Sequence, residues 1–305
     1  LNTVYFQVRP CGDALYPSDL YPSSAYVVKK QGDPLPLDIL EYAIRSAHER
    51  GLSFHAWINP YRIGQKPDKD KDLRFQKEGV WYYAPHQPAA RQKVLDGIRE
   101  ILDNYAVDGI HFDDYFYPYP GAGVPIPDDA SYAQYGGGMD RSDWRRQNVN
   151  MMIRAVYDTI QAVKPWVTFG VSPFGIWTTD SSVASKRGIT LPYNITGGNM
   201  YAEIYCDPVA WLEEGTVDYI SPQLYWKIGG GQDYKKLSKW WGDLCNRFGK
   251  HFYSSMALYK YEDGTFSATE IRDQLGYNRT VKDNAPGAVF YNTRAWAESS
   301  KLRVN

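Results

Sequence analysis

With 34 Lys and Arg against 35 Asp and Glu, the 305-residue chain has a formal net charge of −1 and no basic block, which argues against a nucleic-acid binder or a protein held on anionic lipid. Hydrophobic residues make up 43% of it, enough for a sizeable core, yet no run reaches the ~18 apolar residues of a membrane span. Its three cysteines, Cys11, Cys206 and Cys245, are too scattered for a disulfide framework or a zinc ribbon.

In chain order, the sequence predicts a strand over 3–9, then a helix opening at Asp33-Pro34 or at Pro36. Leu37, Leu40, Ile44 and Ala47 share a face of that helix, and Gly51 stops it. A strand over 52–59 follows. Val94, Ile98, Ile101 and Tyr105 mark a helix opening near Pro88, and 109–113 reads as a strand. Met152, Val156, Ile160 and Val163 mark a third helix, ended by Pro165. Strands over 167–172 and 217–225, a helix over 233–248 and a strand over 252–259 come next. Ser267 and Glu270 stand in capping-box spacing at the head of a helix running to about Val281, and 287–292 is the last strand. Glycine clusters at 121–123, 136–138 and 229–231 read as loops. There is no repeat, no low-complexity segment and no linker. Alternating strand and helix predict an α/β fold with parallel strands, one domain over 1–305.

The strands also alternate within themselves. Val4, Phe6 and Val8 oppose Tyr5, Gln7 and Arg9; Phe54, Ala56 and Ile58 oppose His55, Trp57 and Asn59. Ile110 and Phe112 oppose His111 and Asp113, and the same pattern recurs around Val171 and Ile220. A doubly wound sheet, covered on both faces, would read as continuous apolar runs. One apolar and one polar-aromatic face predict a (β/α)8 barrel, with helices outside and the mixed face inside. Polar residues gather at strand C-termini (Arg9, Asn59, Asp113, Ser172, Gln223, Asn292), where such barrels keep their active sites. Seven strands are visible and the chain opens inside one, so the first strand and helix of the barrel are expected to precede Leu1.

Residues 108–118 read DGIHFDDYFYP. His111 and Asp113 have inward parity, and Asp114 falls on the rim, so the two acids mark a catalytic mouth. In the rival reading Asp114 opens a loop and Asp113 pairs with an interior arginine such as Arg9. Tyr, Trp and Phe make up 15% of the chain. Trp57, Tyr61, Tyr115, Tyr201, Tyr225 and Trp226 are expected to line that mouth and stack on sugar rings; core packing is the alternative.

The runs VYFQVRPCGDALYPS, GLSFHAWINPYR, VDGIHFDDYFYP and VDYISPQLYW closely resemble the glycoside-hydrolase-like family 10 proteins. The resemblance implies a bacterial barrel glycosidase, exported or lipid-anchored, acting in the periplasm or at the cell surface on polysaccharides that include peptidoglycan glycan strands. It implies a cleft lined by Arg9, Asp13, His55, Trp57, Asn59, Tyr61, Asp113, Asp114, Gln223, Tyr225 and Trp226. An export signal would lie upstream of Leu1. DGIHFDDY more distantly resembles the DGxDxDxE strand of family 18 chitinases, but Tyr115 stands where their catalytic Glu would be.

Glycoside cleavage pairs a carboxylic acid, which protonates the leaving oxygen, with a carboxylate that attacks carbon or activates water. Asp113 and Asp114 are the first candidates. Successive strand residues point apart, so a second acid is sought in MYAEIYCDP, where Glu203 and Asp207 stand. No cofactor is called for. Two rivals remain: a metal-dependent glycan deacetylase using His55, His111 and Asp113, and a non-catalytic glycan-binding barrel.

Overall fold

The computed structural model describes residues 1–66, 69–121, 125–280 and 287–294. Val281 and most of the glycine cluster at 121–123 lie outside them. The chain forms two compact units, Leu1–Gly170 with Glu203–Asp207, and Val171–Ala202 with Pro208–Asn305.

The first unit is laid out as β1 (Thr3–Arg9), α1 (Ile39–His48), β2 (Ser53–Ile58), β3 (Arg62–Gly64), β4 (Arg74–Lys77), β5 (Val80–Tyr83), α2 (Pro88–Asn104), β6 (Gly109–Phe112), α3 (Asp129–Tyr135), α4 (Arg141–Val163) and β7 (Thr168–Val171). β1, β2, β6 and β7 lie side by side in that order, with β1 parallel to β2 and β2 to β6. α2 and α4 pack on each other through apolar stripes that include Ala90, Val94 and Ile98 on one and Val149, Met152 and Val156 on the other. One carboxylate ties several of these elements. Asp108 Oδ2 accepts the Phe54 N–H at 2.7 Å and lies 2.8 Å from His48 Nε2, while its carbonyl accepts from the Thr168 N–H at 3.0 Å.

Two local expectations are corrected here. α1 begins at Ile39, because Asp38 takes extended backbone and its side chain accepts from the Glu41 N–H at 3.0 Å, forming the N-cap. Leu37, assigned above to the buried helical face, stands outside the helix and is 51% exposed. Between β2 and α2 the chain also folds a small antiparallel sheet, β3-β5-β4, that the pass along the sequence did not anticipate. Its hairpin turns at Glu78 and Gly79, both with positive φ (51° and 78°) between the paired Lys77 and Val80. That is the backbone of a type I′ turn.

The second unit carries α5 (Ser181–Ser185), most of α6 (Met200–Glu203), α7 (Pro208–Glu214), β8 (Tyr219–Ile220), α8 (Tyr234–Arg247), β9 (His251–Ala257), α9 (Tyr259–Glu262), α10 (Ala268–Asn278) and β10 (Gly287–Tyr291). β8, β9 and β10 run parallel in that order. β8 is far shorter than the predicted 217–225. Pro222 has no N–H to give the ladder, and the pairing resumes beyond it as single bridges from Gln223 to Phe174 and to Ser255. At α10 only half the capping box forms. Ser267 Oγ accepts the Glu270 N–H at 3.0 Å, but Glu270 Oε1 accepts instead from Ile228 N and Gln274 Nε2, both at 2.8 Å.

Candidate active site

In the first unit the site grows from the end of β6. Tyr5, His55, Trp57 and His111 all lie on the inward-parity face, where Tyr5 pairs with His55, and Trp57 with His111. Both imidazoles meet the Tyr5 ring edge-on, at centroid distances of 4.9 and 4.7 Å. Burial pushes His55 down to about 4 and His111 to about 3, so both rings are neutral at ordinary pH. These two histidines are interior packing groups at the level beneath the acids. Among the described residues, no three His, Cys, Asp or Glu side chains gather as a metal site requires.

Asp113 is the first residue past β6, buried at 4% exposure. Its Oδ2 accepts the Trp57 indole N–H at 3.0 Å, and its Oδ1 accepts the Tyr115 backbone N–H at 3.4 Å. Arg9, the partner the sequence offered in the rival reading, is not one of these. Burial, then the neighbouring charge of Asp114, pushes the Asp113 carboxyl up to about 8, against the opposing pull of Trp57, the Tyr115 N–H and Arg62. Asp113 is therefore a carboxylic acid, not a carboxylate, at neutral pH.

Asp114 was expected on an exposed rim. It is buried, at 2% exposure, because the loop that follows folds back over it and the Tyr119 hydroxyl donates to its Oδ2. Its charge also reaches the thiol of Cys206, which burial has already raised and which Asp207 raises further. Asp207, the other acid weighed in MYAEIYCDP, is thus buried on the Asp114 side of this unit, whereas Glu203 is exposed at the end of α6.

Arg9 takes a different place from the one its parity predicted. The β1–β2 register runs evenly to Gln7 opposite Trp57, then slips, so that Arg9 lies opposite Ile58. Val8 is the extra residue of a bulge, and Arg9 is turned onto the apolar face under the helices. There the fully buried guanidinium lies 3.7 Å from the Tyr21 ring centroid, and a Cβ on Gly97 of α2 would come within 2.7 Å of both side chains. Among the described residues, none of its three nitrogens has a hydrogen-bond partner.

Tyr61 is likewise fully buried and belongs to the core rather than the lining. Asn59 is buried, and its Oδ1 accepts the Arg62 N–H at 3.0 Å, shaping the turn that brings Arg62 within electrostatic reach of Asp113. Asp13 is buried; desolvation raises its carboxyl while Ser24 and Gln31 oppose the shift. Trp57 is half-buried and Tyr115 is 37% exposed. Arg62, Tyr119 and Cys206 were overlooked. Arg62 and Tyr119 fall in or beside the quoted runs, so proximity to HAWINPYR and FDDYFYP was the available signal.

The second unit holds a separate group of sequence-predicted residues, also at strand C-termini. Ser172 Oγ donates to the Ser221 carbonyl at 2.7 Å, and Gln223 Nε2 donates to the Ser172 carbonyl at 3.0 Å. Tyr225 stacks with Tyr291 (6.0 Å, 16° between planes), and Tyr259 meets both edge-on. Trp226 stands edge-on to Phe174 at 5.4 Å, and Tyr201 to Trp177 at 5.9 Å. Asn292 follows directly after β10 and is half-buried. Tyr259 and Tyr291 were not anticipated, although each follows or ends a strand in the sequence.

A paired acid at a strand end, one member held protonated, is the arrangement glycosidases use. The family model described as glycosyl hydrolase-like 10 matches residues 1–269. The chain belongs to that family. Its match spans all four runs singled out above. Glycosyl hydrolase YngK of Bacillus subtilis (strain 168) is 39% identical over 277 residues, which cover 85% of this chain and 53% of YngK. The chain thus spans about half the length of that relative. Glycosyl hydrolase DigH of Escherichia coli (strain K12) is 35% identical over 321 residues, covering 95% of this chain and 72% of DigH. Among solved structures, the glycoside hydrolase domain of PgaB (BpsB) from Bordetella bronchiseptica superposes with a TM-score of 0.62 at 12% identity. It covers 99% of this chain and 86% of that one. At that identity the likeness establishes the fold alone, an α/β architecture of the (β/α)8 kind.

Proposed function

We propose that this family member is a glycoside hydrolase that cleaves O-glycosidic bonds of a polysaccharide, with Asp113 as the general acid. The observation that carries this reading is Asp113 itself, a buried carboxyl at a strand end kept protonated to about pH 8 beside a second carboxyl. In the reaction, the bond from the anomeric carbon to the glycosidic oxygen breaks, and the Asp113 proton passes to that departing oxygen. The opposite face of the sugar is attacked by a carboxylate or by a water that a carboxylate deprotonates. Asp114, whose charge reaches Asp113, and Asp207, buried beside Cys206, are our candidates for the second role.

The family resemblance supports glycan strands of peptidoglycan as the substrate, an exported location, and 1–305 as one catalytic domain. The test incubates the protein with purified peptidoglycan glycan strands, reads products by mass spectrometry, and repeats the assay with Asp113→Asn and with EDTA. Cleavage that survives EDTA and is lost in a folded Asp113→Asn is the expected result. Cleavage at the parental rate by that variant would overturn the assignment.

A further inference from the structure

Tyr205 adopts φ 55°, one of three non-glycine residues with positive φ among the described residues. A bulky L side chain takes this conformation only where its surroundings enforce it. What enforces it is visible in the first unit. Arg145 Nη1 donates to the Tyr205 hydroxyl at 2.7 Å, and the guanidinium carbon lies 4.8 Å from the Tyr205 ring centroid. Tyr117, from the loop that follows the acids, meets that ring edge-on at 5.4 Å. Arg145 is itself clamped: Nε and Nη2 donate to the two oxygens of Asp128 at 2.6 and 2.8 Å, a bidentate pair whose carboxylate is fully buried. Arg141 adds a second cation 3.8 Å from Asp128. The two residues after Tyr205 are Cys206 and Asp207, both buried.

We propose that Arg145, anchored by Asp128, is a strut that locks the Tyr205 backbone and thereby seats Cys206 and Asp207 on the Asp114 side of the first unit, making Arg145 and Tyr205 positioning residues for the acid pair. The proposal rests on the reading of Asp113 and Asp114 as the catalytic acids. The salt bridge lies on α4 and the loop before α3, so a helix outside the acid motif sets the position of a turn distant in sequence. A buried fork–fork pair suits that work, since two parallel bonds to Asp128 fix the plane of the guanidinium that meets Tyr205.

The experiment uses Cys206 as a reporter that needs no activity. In a Cys11→Ser/Cys245→Ser background Cys206 is the sole thiol. Its labelling by iodoacetamide is followed by mass spectrometry, alongside the pH profile for cleavage of purified peptidoglycan glycan strands. Tyr205→Phe keeps the ring and removes the hydroxyl; it should speed Cys206 labelling at least tenfold. It should also shift the alkaline limb of the rate to lower pH, as water reaching the pair relieves the burial that raises Asp113. Of the charged and titratable groups facing Asp113, Asp114 and Arg62 are unchanged in that variant, and Cys11 is serine in every protein compared, the Cys11→Ser/Cys245→Ser parent included. Tyr105→Phe, which loses a comparable 2.8 Å bond to the Asp38 cap of α1, should leave Cys206 protected. Tyr205→Gly, free to adopt positive φ, should expose Cys206 as Tyr205→Phe does, because the hydroxyl and ring are the holdfast.

Protection of Cys206 in Tyr205→Phe equal to that of the parent overturns the strut. So does equal exposure in Tyr205→Phe and Tyr105→Phe, which would mean general loosening. Exposed Cys206 with an unchanged rate profile keeps the lock on Tyr205 but overturns its role in positioning the acid pair; the assignment of the acids themselves fails only if folded Asp113→Asn cleaves at the parental rate.

Discussion

Trp57 donates its indole N–H to Asp113 across 3.0 Å, and this bond pulls against the burial and the Asp114 charge that keep Asp113 protonated. The indole thus orients the carboxyl while favouring its ionised form. Trp57→Phe keeps a ring in place and removes the donor. The Asp113 pKa should rise further, and the alkaline limb of kcat/KM should move to higher pH. A limb that stays put or moves down would show that the bond is not made in solution.

Asp113→Asn should reduce cleavage by ~10²–10⁴-fold, the usual cost of losing a general acid. Its effect on stability has the opposite sign at neutral pH. The folded state holds this proton to about pH 8, while an unfolded Asp releases it near 3.8. The protonated carboxyl therefore contributes stability that is fully present below pH 3.8 and lost as pH rises through 8. Asn has no proton to lose. Melting curves should show the variant gaining on the parent between pH 4 and pH 8, by at most on the order of 1.4 kcal/mol per pH unit. Parallel curves for the two proteins would contradict the raised pKa.

Histidine burial acts at the other end of the scale. His55 and His111 are held neutral, at about 4 and about 3, while unfolded imidazoles protonate near 6.5. Their stabilising share is present above pH 6.5 and lost as pH falls toward 3. Parental Tm should decline on acidification below 6.5, and His111→Phe should flatten that decline. Thermal melts at half-unit pH steps measure it.

Arg9 separates a structural role from a catalytic one. Its guanidinium is buried on the helix side, against Tyr21 and Gly97, with no hydrogen-bonded partner among the described residues. Replacing a buried charge with an apolar side chain of similar volume is often neutral or stabilising. Arg9→Met should therefore keep cleavage within about twofold of the parent and change stability by less than ~1.5 kcal/mol. Gly97→Ala should destabilise by ~1–3 kcal/mol through overpacking against Arg9 and Tyr21. A large loss of rate in a folded Arg9→Met would return the residue to the cleft.

In the second unit, Tyr291→Ala removes one partner of the Tyr225 stack. Aromatic pairs of this kind are worth ~0.5–1.5 kcal/mol, so the variant should lose stability by about that much in denaturant melts. A midpoint equal to the parent's would show that the two rings do not stack in solution.

The alternation of Phe54, Ala56 and Ile58 against His55 and Trp57, repeated strand after strand, was enough to reach the parallel α/β architecture, because burial on one face imposes a period of two. Asp113 stands out as a candidate for the same reason: it interrupts an apolar run where a strand must end. What could not be read depends on events without a residue-type signature. Val8 is an ordinary strand former, so nothing in it announces an extra residue, and the side taken by Arg9 was misassigned. The Lys77–Val80 hairpin did carry a glycine at its turn and went unrecognised. Tyr205 has no feature of a left-handed position; its conformation is imposed by Arg145, sixty residues away. Leu37 was misplaced because hydrophobic spacing alone does not locate a cap, which Asp38 decides by hydrogen bonding.

The bulge at Val8 bears on how insertions and deletions are tolerated in this strand. Deleting Val8 would leave an even ladder, Gln7 opposite Trp57 and Arg9 opposite Ile58, so Arg9 would keep the helix side. The position can therefore be lost without moving the buried charge, whereas a residue added between Gln7 and Arg9 would change the strand's register again. When related chains are compared, a one-residue gap at Val8 leaves Arg9 in the same environment. The pairing with Ile58, rather than the distance from Gln7 along the chain, identifies the equivalent residue.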